Sequence, residues 1–365
     1  MLNADQLRKL AALRRRLHEC PERSGRETAT RAILLDFLRA ETGLEVRDMG
    51  GWLLATHREG DGLPTVGFRA DMDAIPVEGD GEAARHGCGH DGHCAILCGL
   101  ALLLEGRTLG RNIHLIFQGA EETGEGAKAV CDGWSGLNEV ERVYALHNIP
   151  GQPFGRVLMR RGCFACASCG LIVRVQGRPA HAAYPGDGAN PIELLSRLAL
   201  ETPAMICDIL DGSDRLLMRT LIGLRAGGEN FGLSASEGRL CLTLRGHRQA
   251  DIDALIGRIR GFTEAGCAQQ GMTCAFELRD VFPDTTSDDG AFDDARVRFR
   301  RAGLPVKLLE EPMRWSEDFG WFLKRRSGLY FGVGIGEGHP GLHTDAYQFD
   351  DGLIEPALRA LEALL

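Results

Sequence analysis

What most restricts the fold of this 365-residue chain is a change of pattern partway along it. Apolar residues recur at helical spacing over 7–17 and 30–38, while 65–68, 113–117 and 143–146 are short apolar runs bounded by turn residues. That alternation is the signature of an α/β sheet. Near Ser168 a different order begins: a strand over 171–175, a helix over 191–210, strands over 216–224 and 238–244, a helix over 252–269 and a strand over 272–278. The sequence β-α-β-β-α-β is a complete ferredoxin-like unit. A helix near 316–324, a strand over 329–333 and a helix near 355–365 then restore the first pattern. The expectation is an α/β domain formed by 1–165 and 282–365, with a second, α+β domain of residues 166–281 inserted into it. The length agrees, because single hydrophobic cores stop growing at roughly 250–300 residues.

An apolar share of 44% with 25% charged residues is that of a folded globular chain. The net charge of -9 argues against a nucleic-acid partner, which normally calls for a basic face. Arg14 to Arg16 make only a short basic run beside Leu10, Leu13 and Leu17, as on the solvated side of an amphipathic helix. Residues 1–16 show no apolar export segment, and the most apolar helical run, 94–104, is about half the ~20 residues a bilayer requires. The expected setting is therefore cytoplasmic. There the twelve cysteines stand mostly as free thiols, since disulfide frameworks belong to short secreted domains.

Candidate chemistry gathers where strands are expected to end, the edge at which open α/β sheets bind ligands. Arg69-Ala70-Asp71-Met72-Asp73 follows one strand, Gln118-Gly119-Ala120-Glu121-Glu122 a second, and His147-Asn148 a third. His339 to His343 follow a fourth, and Cys88-Gly89-His90-Asp91-Gly92-His93 opens the apolar helix. Each segment has an ordinary structural reading by itself: a core histidine, a buried cysteine, a solvated acidic turn. Together they set thiolate, imidazole and carboxylate groups around one rim, a mixture suited to zinc, manganese, cobalt or nickel rather than calcium or magnesium. Of two adjacent carboxylates after an apolar strand, one can hold a metal while the other stays free as a general base.

The strings Arg69-Ala70-Asp71-Met72-Asp73-Ala74-Ile75-Pro76, Gly87-Cys88-Gly89-His90-Asp91-Gly92-His93, Phe117-Gln118-Gly119-Ala120-Glu121-Glu122 and Gly341-Leu342-His343-Thr344 resemble those of the dinuclear metal aminoacylase and carboxypeptidase family. Leu17-His18-Glu19-Cys20-Pro21-Glu22 and Gly177-Arg178-Pro179-Ala180-His181-Ala182-Ala183-Tyr184-Pro185 extend the likeness, in order, over nearly the whole chain. It is similar to the branch of hippurate hydrolases, auxin-conjugate hydrolases and bacterial N-acyl-amino-acid amidohydrolases. The resemblance implies a metallopeptidase-like catalytic domain with a central mixed sheet and an inserted lid that forms a homodimer. It implies two divalent ions per chain on Cys88, His90, Glu122, His147 and His343, with Glu121 as catalytic base. It also implies that His181 of a partner subunit donates to the oxyanion and that Asn230 and Arg245 contact substrate; Asp71 and Asp73 are expected to orient the ligands. The expected activity is hydrolysis of a small amide, an N-acyl amino acid or related conjugate. The rivals are an aminohydrolase of an unusual small amine and a metal-binding protein without turnover.

Some segments depart from that pattern. Cys163, Cys166 and Cys169 are spaced like the start of an iron–sulfur run, but the fourth cysteine and its proline are missing. Where the family usually reads Asn-Val-Ile-Pro this chain has Asn230-Phe231-Gly232-Leu233, and Gly119-Ala120 stands where Pro-Ala is customary. The connection over 78–85 is short. These changes spare the expected ligands and bear on what reaches them.

Overall fold

The computed structural model describes residues 2–77, 79 and 81–365, and its chain divides into two compact units. The first runs through Phe164 and resumes over Thr285–Met313 and Glu317–Leu365; the second comprises Ala165–Asp284 with Arg314–Ser316.

In chain order the first unit begins with α1 (Ala4–His18), α2 (Thr28–Glu41), β1 (Glu45–Asp48), β2 (Trp52–His57), β3 (Thr65–Asp71) and α3 (His90–Leu104). Next come β4 (Asn112–Gln118), α4 (Gly126–Gly133), β5 (Val140–Pro150) and β6 (Val157–Met159). The second unit supplies β7 (Ala167–Gln176), α5 (Pro191–Leu210), β8 (Leu217–Ala226), β9 (Glu237–Gly246), α6 (Gln249–Gln270) and β10 (Thr273–Phe282). The first unit resumes with α7 (Asp289–Arg301), β11 (Val306–Leu308), β12 (Ser327–Gly336) and α8 (Ile354–Glu362).

The large sheet has the order β1-β2-β4-β3-β5-β12-β6-β11 and is mixed, as expected of the fold class. Its centre, β4-β3-β5-β12, is parallel throughout, so the carboxyl ends of these four strands share one edge. Parallel strands need crossovers that cover both faces, and all seven residues of β3 are buried accordingly. All fifteen residues of α3 are buried as well. That explains why its sequence shows an apolar run rather than a stripe, and Leu10 of α1 and Leu358 of α8 close on it beside Gly99. Among the described residues, no helix is long and apolar enough to cross a membrane.

The second unit is an antiparallel sheet of order β8-β9-β7-β10. Leu171, Val173, Leu240, Leu242 and Leu244 form one face and pack with Leu194, Leu198, Leu255 and Ile259 of the two helices. The alternate residues of β7 and β9 make the opposite face.

Several elements differ from expectation. β3 continues to Asp71 and β5 to Pro150, so Arg69, Asp71, His147 and Asn148 lie inside strands rather than after them. The helix near 316–324 contracts to one turn, Gly320–Leu323, because the preceding Glu317 and Asp318 side chains are committed to buried hydrogen bonds. α7 had no counterpart in the sequence reading: its Arg and Asp content obscures a stripe of Phe292, Ala295 and Phe299, capped by the Asp288 side chain. Glu78 and Asp80, part of the short 78–85 connection, lie outside the described residues.

Candidate metal centre

Five groups meet at the carboxyl edge of the large sheet. Gly89 enters α3 with a φ of 100°, and a β-carbon there would stand 2.4 Å from Asn148 Oδ1. Only glycine fits that left-handed turn, which presents Cys88 and His90 to the same space. Beyond β4, Ala120 is also left-handed, with φ 54°, and its N–H donates to Glu27 Oε1 at 2.7 Å. Glu27 is buried and also accepts from Gly25 N–H, which fixes the turn from which Glu121 and Glu122 project. His147 comes from within β5. His343 follows β12 with φ 64°, held by its N–H to Gly87 O and by Arg85, whose guanidinium donates to the carbonyls of His343 and Thr344. Two strained non-glycine residues beside one cluster are what functional sites commonly store.

The ligand-type atoms lie close together. Cys88 Sγ is 3.4 Å from both His147 Nε2 and His343 Nε2, and Glu122 Oε1 is 3.5 Å from His343 Nε2 and 3.8 Å from His90 Nε2. Atoms bound to one tetrahedral ion at ~2.0–2.3 Å stand about 3.5 Å apart, so this is the spacing of a coordination sphere. The histidines are already set for it. His90 Nδ1 donates to the Asp73 carbonyl at 2.9 Å and His147 Nδ1 to the Asn148 carbonyl at 2.8 Å, which turns both Nε2 lone pairs into the cluster. His90 Nε2 and Glu122 Oε1 are buried without a hydrogen-bond partner. The Cys88 thiol and the Glu122 carboxylate beside it push His343 up to about 10, while burial pulls His147 well down. Donor set, spacing and orphaned buried atoms all fit divalent metal.

The remaining expected groups separate. Asp73 accepts from Ser24 Oγ at 2.6 Å and from Glu122 N–H at 3.0 Å, tying the segment after β3 to the turns that carry Ser24 and Glu122. Asp71 accepts from His93 Nδ1 and from Arg69, each at 2.6 Å. Burial opposes the charge on Asp71, but His90, His93 and Arg69 outweigh it and hold the carboxyl well below the usual range. His181, Asn230 and Arg245 belong to the second unit. His181 and Asn230 sit on two loops joined by backbone bonds between Ala182 and Gly232 and between Ser234 and Ala180. Arg245 pairs across from Ser168 at the other end of the same sheet. Its guanidinium donates to Ser316 Oγ at 2.7 Å and to the Arg314 carbonyl. Cys163, Cys166 and Cys169 form no disulfide, nor do the other cysteines.

Sequence reasoning missed the groups behind Glu121. Arg69 donates to Asp318 at 2.7 Å and lies 3.1 Å from Glu317; Gln118 and the Ala127 N–H also donate to Asp318. The Asp318 N–H in turn donates to Glu121 Oε1 at 3.3 Å. Burial, then the carboxylates of Glu317, Glu122 and Asp318, push Glu121 well above the usual carboxylate range. The signal was another adjacent acidic pair, Glu317-Asp318, directly before the apolar Phe319.

Residues 67–365 match the sequence pattern of peptidase family M20/M25/M40. The chain is 28% identical to an N-acetyldiaminopimelate deacetylase of Shouchella clausii, covering 98% of this chain and 97% of that protein. It is 28% identical to the N-acetyl-L-cysteine deacetylase of Bacillus subtilis, covering 94% and 84%. Among solved structures it resembles the Bacillus subtilis YXEP protein, described as a dinuclear metal-binding peptidase, with a TM-score of 0.80, 23% identity and coverage of 99% and 98%. It also resembles an aminobenzoyl-glutamate utilization protein of Klebsiella pneumoniae, with a TM-score of 0.74, 22% identity and coverage of 99% and 96%. With a match over most of its length and a site of metal-binding chemistry at the sheet edge, the chain belongs to peptidase family M20/M25/M40 and is a metal-dependent amidohydrolase.

Proposed function

We propose that the protein hydrolyses the amide bond of a small N-acyl amino acid. Cys88, His90, Glu122, His147 and His343 would hold two divalent ions, which supply Lewis acidity for the carbonyl and acidify water. Glu121 takes the proton of the attacking water and returns it to the leaving nitrogen. Its carboxylate lies 3.9 Å from His90 Nε2 and is steadied by the Asp318 N–H, within reach of the cluster. Asp71 and Asp73 keep the ligand side chains in place. The observation that carries this reading is the buried, unpartnered His90 Nε2, aimed by Asp73 at a thiol and two carboxylates. The N-acyl amino acid class is supported by the names of the deacetylases above.

We further propose a homodimer through the second unit, in which it acts as lid and dimerisation domain. In one chain, His181 follows the carboxyl end of β7 and Asn230 lies in the β8–β9 loop at the same end of the sheet, whereas Arg245 lies opposite Ser168 at the start of β7. Eight residues of strand separate these ends by about 26 Å. That is too far for one small substrate, so the two groups serve a single site only if they come from different chains. β8 offers the joint: it is an edge strand carrying exposed Leu221, Ile222 and Leu224, a combination that natural proteins normally cover. Ala183 N–H donates to His181 Nδ1 at 3.0 Å, so the proton resides on Nε2, ready for donation to an oxyanion. Arg245 and Asn230 would receive the substrate carboxylate.

The test is turnover of metal-loaded protein on N-acetyl, N-benzoyl and N-indoleacetyl amino acids and dipeptides. Release of amine that a chelator abolishes is expected. Metal content with no turnover on any amide would instead identify a binding protein, and ammonia release from aromatic amines alone an aminohydrolase.

A further inference from the structure

The second unit carries a row of like charges that its own side chains only partly neutralise. β8, β9 and β7 are in register with Arg225 opposite Arg239 and Arg239 opposite Arg174, so three arginines stand side by side on the face turned away from the helices. Like charges directly opposite on neighbouring strands are unfavourable. Two carboxylates are near. Glu277 lies 3.1 Å from Arg174 but is shared with Arg279, and Glu237 lines the same recess. Among the described residues, neither Arg225 nor Arg239 has an ion-pair partner within 4 Å.

The row opens into a cavity of about 590 Å³, lined by Arg174, Gln176, Arg225, Glu237, Arg239 and Thr273 among others. That volume is in the range of small-molecule sites, roughly 300–1,000 Å³. Guanidinium groups are planar forks that bind carboxylate or phosphate oxygens in pairs. Arg225 and Arg174 arise two strand spacings apart, about 10 Å, so a ligand engaging the whole row needs more than one anionic group. A long polyanion is disfavoured by the chain's net charge of -9, whereas a compact one meets mainly the local field.

We propose that this recess is a binding site for a small ligand bearing two or more anionic groups, with Arg239 at its centre. The recess is lined by residues of the second unit alone. It stands on β-strands, so its three forks are spaced by the sheet rather than by a mobile loop. Arg239 faces the middle of the ligand, and Arg225 and Arg174 take its ends.

The test is titration calorimetry of the metal-loaded protein with tricarballylate, a tricarboxylate without a hydroxyl group to assist chelation, at an ionic strength held constant with sodium chloride. Inorganic phosphate and acetate serve as single-centre probes. Saturable binding of tricarballylate in the millimolar range or tighter is expected, with phosphate weaker and acetate silent. Arg239→Gln and Arg225→Gln should each weaken it about tenfold or more, while Arg300→Gln, an exposed change on α7, leaves it unaltered. Circular dichroism confirms that the variants fold. The proposal is overturned if tricarballylate does not bind, if acetate binds as well as tricarballylate, or if Arg300→Gln weakens binding as much as Arg239→Gln.

Discussion

At the scale of single residues, two adjacent carboxylates are assigned different work. Glu122 Oε1 faces the imidazoles of His343 and His90, whereas Glu121 is turned toward the Asp318 N–H and the acidic groups behind it. Glu121→Gln is therefore expected to keep its metal while losing roughly 10²- to 10⁴-fold in turnover, the range for removal of a general base. Glu122→Gln should lose metal first. Metal analysis beside the rate assay decides the matter, and the reverse order would exchange the two roles. The sequence made these residues legible because thiol, imidazole and carboxylate seldom fall together after four strands. The Arg69–Asp318–Gln118 support left only the Glu317-Asp318 pair as a sign, because a charged network buried between distant segments leaves no periodic trace.

At the scale of elements, the turn between β4 and α4 is where packing and chemistry coincide. Gly126, the first residue of α4, lies so close to the turn that a β-carbon would stand 1.7 Å from the Gly119 carbonyl oxygen. Backbone cannot yield as a flexible side chain does, so Gly126→Ala must push the Gly119–Glu122 turn aside. Overpacking of this kind costs about 1–3 kcal/mol, and the displaced Glu121 should lower turnover as well. Denaturant unfolding and kcat measured on the same preparation test this; an unchanged rate with reduced stability would show that the turn does not set Glu121. Elements with a clear period, such as α1, α5, the four central strands of the large sheet and the four of the small one, were readable from sequence, whereas β1, β2, β6 and β11 were not. α7 was not, since arginine and aspartate flank its short apolar stripe. Nor was the shortening of the helix before β12, which follows from tertiary bonds to Glu317 and Asp318.

At the scale of the whole molecule, the order β-α-β-β-α-β announced the antiparallel sheet of the second unit, and its exposed edge raises the question of assembly. A homodimer that shares His181 between subunits predicts complementation. His181→Ala should lower turnover about 10²-fold or more with metal content unchanged, as loss of an oxyanion donor does. Mixed with Glu121→Gln chains, it should regain activity, because a mixed dimer contains one site with both groups intact. An active monomer by light scattering, or no recovery in proven mixed dimers, contradicts the shared site.

The central claim is that the cluster at the carboxyl edge of the large sheet holds a pair of metal ions on which amide hydrolysis depends. Its most direct test is a titration of zinc, manganese or cobalt into chelator-stripped protein, with hydrolysis of an N-acetyl amino acid followed at each addition. Activity should be absent at the start and reach its plateau near two equivalents per chain. Full activity in the stripped protein, or a plateau at one equivalent, would contradict the account.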